Sequence, residues 1–285
     1  MDIPALFWLN MFWVLVCAAA FGSFANVLIY RLPLMIFGAV GQNDSSDKKL
    51  FNIAFPASFC PQCRQAIKWW HNIPLLSFIY LRRRCASCHA QIPMRYFWVE
   101  LGTVLLAFLS VYWLGFTWQA LASFVFLYLL WVASWIDALH FLLPDVLNFM
   151  LLGAGLIVAM VFARHGGGDT LVDALMDALM DALMGAALGY LILWLPYFAY
   201  LKWRKIEGLG LGDCKLLAAI GCWQGMAAVP NILLFACALA LMFGVLVALF
   251  RQQSVRTLKI PFGPFISAGA LIQMILVQGR LSVFA

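Results

Sequence analysis

The 285-residue chain is 65% hydrophobic and only 11% charged. That excludes an ordinary soluble domain and indicates a membrane protein with several spans of about 20 residues each. Its net charge of +6 is concentrated in residues 31–95, where nine basic residues meet two acidic ones; so localised an excess marks a cytoplasmic loop and implies no nucleic-acid partner.

In chain order, residues 5–30 are expected to form the first span. Met1–Ala5 carries no basic residue, so the run is not expected to be a cleaved signal. It ends in Gly22-Ser23-Phe24-Ala25-Asn26, small residues with one amide, the pattern of close helix packing in lipid. Residues 31–96 form a polar insertion. Within it Gly41–Lys49 reads as a loop, and Cys60-Pro61-Gln62-Cys63 and Cys85-Ala86-Ser87-Cys88 form two knuckles. Two-residue spacing turns both thiolates of a knuckle toward one metal, and a separation of about 20 residues suits a ribbon between them. A structural zinc ion is therefore expected on Cys60, Cys63, Cys85 and Cys88. Disulfides are disfavoured in a reducing cytosol. Cys17, Cys214, Cys222 and Cys237 lie in or near apolar runs and read as packing residues.

Further apolar segments fall at about 97–115, 118–136, 146–163, 182–201, 214–228, 229–250 and 262–280. The expected fold is thus an all-α polytopic membrane protein of about eight transmembrane helices with a cytoplasmic zinc-binding loop. The expected division is a first helix (1–30), a zinc domain (31–96) and a transmembrane core (97–285). With the N-terminus outside, Lys202, Arg204 and Lys205, then Arg251, Arg256 and Lys259, all fall in cytoplasmic loops. Glu100 near the start of the second span is explained by the helix dipole, with a supporting role left open. Asp173, Asp177 and Asp181 recur in a threefold Asp-Ala-Leu-Met repeat and read as a solvated stripe on an interfacial helix.

The stretch Gly208-Leu209-Gly210-Leu211-Gly212-Asp213-Cys214-Lys215 brings a carboxylate to the end of an apolar segment on a glycine-rich approach. An ionisable group at that depth is costly and marks a functional site unless it merely caps a helix beginning at Lys215. A second carboxylate, Asp137, ends the third span on the same side of the membrane. Two carboxylates so placed can activate water and protonate a carbonyl oxygen while sharing one proton. Asp145, after Pro144, competes with Asp137 for this role, and spacing alone leaves the choice open.

Taken together, these motifs resemble the type IV prepilin peptidases, bacterial inner-membrane aspartic proteases of the Gly-x-Gly-Asp class. The resemblance runs through Gly22-Ser23-Phe24 with Asn26, Arg31-Leu32-Pro33, the four cysteines, Asn72–Ser77 and Arg95-Tyr96 with Glu100. It continues through Asp137, Gly210-Leu211-Gly212-Asp213 with Lys215, and Pro261-Phe262-Gly263-Pro264. It implies Asp137 and Asp213 as the catalytic pair, with Gly210, Gly212, Lys215 and Glu100 in support. It also implies cleavage of the basic leader of prepilins or type II secretion pseudopilins at the cytoplasmic membrane face. N-methylation of the new N-terminus from S-adenosylmethionine would follow. Leu139 and Arg83 depart from the family, which usually has aspartate and glycine there. The rival readings are an intramembrane aspartyl protease of other substrates and a non-enzymatic zinc-bearing scaffold.

Overall fold

In the computed structural model, residues 5–38, 52–55, 57–163, 170–205, 210–252 and 259–276 are described. The Gly41–Lys49 loop, Gly208, Leu209 and Arg256 lie outside them. The described chain is helical, and its β-structure consists of two isolated antiparallel bridges, Phe59 with Ala66 and Arg84 with Gln91. It forms two compact units, Met1–Gly115 and Phe116–Ala285.

The first unit is built on α1 (Ala5–Ile36) and α3 (Arg95–Leu114), which pack together. Between them lie the two cysteine knuckles, a 3-10 turn at Trp69–Asn72 and the short helix α2 (Leu76–Tyr80). The small residues of the first span do what lipid demands of them. A side chain on Gly22 would reach within 2.9 Å of the Glu100 Cα, so only glycine allows α1 this close to α3. Asn26 donates across the same crossing to the Tyr96 carbonyl (3.2 Å) and to Glu100 Oε1 (3.4 Å).

The second unit holds α4 (Trp118–His140), α5 (Asp145–Phe162), α6 (Leu171–Arg204), α7 (Leu211–Gln224), α8 (Val229–Arg251) and α9 (Gly263–Leu276). Among the described residues, six helices are long and apolar enough to cross a membrane: α1, α3, α4, α5, α6 and α8. The expected count of about eight is not reached. α7 has 14 residues and extends only about 21 Å at 1.5 Å per residue, short of a hydrocarbon core of about 30 Å. It is the inner helix of this unit, packing on α5, α6, α8 and α9, with Cys214, Leu216, Leu217, Ile220 and Cys222 buried. α9 is apolar but also has only 14 described residues.

Hydrocarbon gives helices no hydrophobic reason to associate, so backbone approach and polar contacts hold α7 in place. Gly185 and Gly221 cross with each backbone against the other, and a Cβ on either would overlap the opposite carbonyl oxygen. Trp223 Nε1 donates to the Leu151 carbonyl at 2.6 Å, tying α7 to α5. The acidic repeat forms the first turns of α6 and runs without a break into the fifth span; Thr170 caps the helix by accepting from the Asp173 amide at 3.2 Å. Asp173 and Asp177 are exposed, as a solvated stripe requires. Asp181 is also exposed but has a structural partner: its Oδ1 accepts the Met226 amide at 3.0 Å and secures the turn between α7 and α8.

The α6–α7 crossing predicts that Gly221→Val destabilises the protein by at least about 1–3 kcal/mol, the usual cost of overpacking. A Cβ at Gly153 meets nothing within 4 Å, so Gly153→Ala should match or slightly exceed the parent. Thermal unfolding of both variants in the same detergent checks the contrast.

Candidate active site and metal centre

Asp213 lies in the first turn of α7, which begins at Leu211 with Gly210 as its N-cap residue. It therefore does not cap a helix starting at Lys215. Asp213 is 8% exposed, and its Oδ1 has no hydrogen-bond partner among the described residues. Neither nearby glycine has positive φ; Gly212 is required by close approach, because a Cβ there would sit 2.8 Å from the Leu143 Cβ. Thus Gly212 seats the start of α7 against the link between α4 and α5.

Asp137 lies in the last turn of α4, which ends at His140 with Phe141 in the left-handed conformation (φ 52°). It is 5% exposed. Its Oδ2 accepts the Gly263 amide at 2.9 Å, so the free N–H of the first residue of α9 points at the carboxylate. A Cβ on Gly263 would lie 2.8 Å from that same oxygen. Sequence reasoning quoted Pro261-Phe262-Gly263-Pro264 only as part of a resemblance and missed this partnership. The available signal was a glycine beside a proline at a helix start, where proline lacks an N–H and glycine leaves one accessible. Asp213 lies within electrostatic reach of Asp137, so the fold brings the two sequence-selected carboxylates together.

Asp145 has a different environment. It opens α5, its side chain is 54% exposed, and Lys215 Nζ contacts its two oxygens at 2.7 and 2.8 Å. Lys215 thus joins the start of α7 to the start of α5 through a partly exposed ion pair.

The second candidate centre is in the first unit. The Sγ atoms of Cys60, Cys63, Cys85 and Cys88 all lie within 4.8 Å of one another, and those of Cys60 and Cys88 are 3.9 Å apart. A tetrahedral ion with metal–sulfur bonds of about 2.3 Å sets its sulfurs about 3.8 Å apart, so the four thiols fit a metal ion. The knuckles share one backbone design. The Arg64 and His89 amides donate back to the first cysteine carbonyl of their knuckles (2.8 and 3.0 Å), and both residues have positive φ. The bridges at Phe59–Ala66 and Arg84–Gln91 close the two turns at equivalent positions. The backbone N–H groups of Cys88 and then Ser87 draw the Cys85 thiol down to about 7, which favours its thiolate, while the neighbouring Cys88 thiol is held above its usual value.

Glu100 is the sixth residue of α3, not its cap, and it is buried. Oε2 accepts the Leu75 amide at 2.7 Å while Oε1 takes the Asn26 amide. It therefore ties the polar insertion to both long helices of its unit.

Residues 16–114 match the bacterial Peptidase A24 N-terminal domain, and residues 124–245 match the type IV leader peptidase family. The chain is 36% identical over 278 residues to the prepilin leader peptidase/N-methyltransferase of Aeromonas salmonicida, covering 94% of this chain and 91% of that protein. The chain belongs to the type IV leader peptidase family. The Pseudomonas aeruginosa protein of the same name is 38% identical over 262 residues, covering 89% of this chain and 86% of its own length. The one from Klebsiella pneumoniae is 40% identical over 217 residues, covering 76% and 86%. No solved structure matches the chain.

Glu100→Ala leaves the Leu75 amide and Asn26 without their shared acceptor and should lower stability by about 1–3 kcal/mol. Lys215→Ala, which breaks a partly exposed ion pair, should cost less than about 1 kcal/mol. Paired thermal melts distinguish the two; a larger loss for Lys215→Ala would contradict this ranking.

Proposed function

We propose that this multi-pass membrane protein is an aspartic endopeptidase that removes the leader peptide of type IV prepilins or pseudopilins and N-methylates the exposed terminus. The observation that carries the reading is a family relationship spanning 94% of the chain, joined to two buried aspartates at neighbouring helix ends. Asp137 and Asp213 are the catalytic pair in this reading. The Gly263 N–H orients Asp137, while Asp213 keeps one oxygen free for water or substrate. One carboxylate takes a proton from the attacking water, and its protonated partner gives a proton to the scissile carbonyl oxygen. When the tetrahedral intermediate collapses, the amine leaves with the proton held by the pair. Asp145 is the ion-pair partner of Lys215 and has no chemical step.

The metal in the cysteine cluster is zinc in this reading. Four thiolates leave no open coordination position, so it holds the insertion's fold and performs no chemistry. S-adenosylmethionine is the co-substrate that supplies the methyl group to the new amine. The protein resides in the bacterial inner membrane with its N-terminus in the periplasm. The basic insertion and both aspartates face the cytoplasm, where the cleavage point between a basic leader and an apolar helix lies.

In liposomes with a prepilin substrate, Asp137→Ala and Asp213→Ala should each abolish cleavage, since groups acting as a unit fail together. Asp145→Ala should retain it. An inert Asp145→Ala beside an active Asp137→Ala would reverse the assignment.

Replacing Cys60 and Cys63 together by serine should remove near-stoichiometric zinc from the purified protein. A parent that carries no zinc by elemental analysis would overturn the structural-metal reading.

A further inference from the structure

The polar insertion presents an apolar face that neither the protease nor the metal site uses. Leu76 (66% exposed), Ile79 (65%) and Tyr80 (80%) lie on one side of α2 at helical spacing, with Trp70 and Ile73 adjoining them around an open hollow. Ser77 lines the same hollow but is itself buried, and it donates to the Trp70 carbonyl at 2.9 Å. Five large apolar side chains exposed on one patch call for an occupant.

The depth of this patch is set by its attachments. The Leu75 amide, one residue before α2, is bonded to Glu100 Oε2. Glu100 is the sixth residue of α3, about 7.5 Å along the helix from Arg95 at 1.5 Å per residue. Within α2, Phe78 packs on Phe97 with ring centroids 5.4 Å apart. The short helix therefore lies beside the first turns of a membrane-spanning helix, where headgroups meet acyl chains.

The charge around the patch fits the same depth. Lys68 lies over the Trp70 ring at 5.2 Å, and Arg82, Arg83 and Arg84 follow α2 directly and are exposed. No acidic residue occurs between Phe51 and Val99, so the stretch of chain that carries the patch has no acidic side chain of its own to neutralise them. Basic side chains flanking Trp, Tyr and aliphatic residues suit an anionic phospholipid surface. They disfavour a basic leader peptide at the same place, because like charges would be brought together.

We propose that residues 69–84 form a membrane-interface foot. Trp70, Ile73, Leu76, Ile79 and Tyr80 enter the boundary between headgroups and acyl chains, and Lys68 and Arg82–Arg84 meet lipid phosphates. The foot holds the cysteine knuckles, which follow and precede it in the chain, at a fixed height on the bilayer. It rests on α3 being a membrane span and is independent of the peptidase chemistry.

The test uses the unmodified full chain in liposomes containing phosphatidylglycerol and a phospholipid with a photoreactive diazirine in its acyl chain. Labelled residues are mapped by mass spectrometry. Ile79 and Tyr80 should be labelled about as strongly as Leu105, which is exposed on α3, and at least about tenfold more than the exposed knuckle residue Gln62. Labelling of Ile79 and Tyr80 at the Gln62 level would overturn the proposal. So would its loss on addition of prepilin with Leu105 unchanged, which would give the patch to the substrate.

Discussion

The backbone contact between Gly185 of α6 and Gly221 of α7 carries much of the second unit, because α7 is too short to be held by the bilayer itself. A helix that spans lipid is kept in place by its length and its interfacial ends. α7 lacks the length, and its side chains are largely buried among other helices. Its height and rotation depend on where backbone meets backbone, and on the Trp223 bond to the Leu151 carbonyl. Asp213 stands in the first turn of this helix, so the crossing that holds α7 also fixes the carboxylate. The arrangement of Asp137 follows from the other side, through the Gly263 amide at the start of α9. The candidate site is thus assembled from helices whose close approaches are set at glycines, with the Trp223 bond adding a side-chain tie.

The first unit applies the same rule. Gly22 lets α1 approach α3, and Glu100 collects hydrogen bonds from Asn26 and from the Leu75 amide at that crossing. A buried carboxylate is expensive unless its oxygens are satisfied, and here both oxygens have donors. Glu100 and Asp213 contrast usefully: one carboxyl group is saturated by the fold and acts as a tie, whereas the other keeps an oxygen open.

Much of this was legible in the sequence. The gathering of the four cysteines into one cluster fit for a metal was legible from spacing alone, since a knuckle is a local turn whose geometry hardly depends on the rest of the chain. The long spans were readable because an unbroken apolar run has few alternatives. Spacing alone did not choose between Asp137 and Asp145, because both sit near helix ends, and the family resemblance made the choice; the Lys215–Asp145 ion pair that gives the two their different surroundings joins residues 70 apart. At α7 the sequence leaves two readings open for a related reason: an apolar run of this length describes a core helix as well as a membrane span. Asp181 was equally opaque, since a capping bond to Met226 depends on how α6 passes the α7–α8 turn, which no local pattern records.

The central claim is that Asp137 and Asp213 share one reacting water. Its most direct test is an experimental structure of the protein in lipid with a substrate-like peptide whose scissile carbonyl is replaced by a secondary alcohol. The account predicts that the hydroxyl lies within hydrogen-bond distance of both carboxyl groups, with Asp145 still paired to Lys215. A hydroxyl seated against Asp145, or reaching only one of the two buried aspartates while the other stays bound to protein donors, would contradict it.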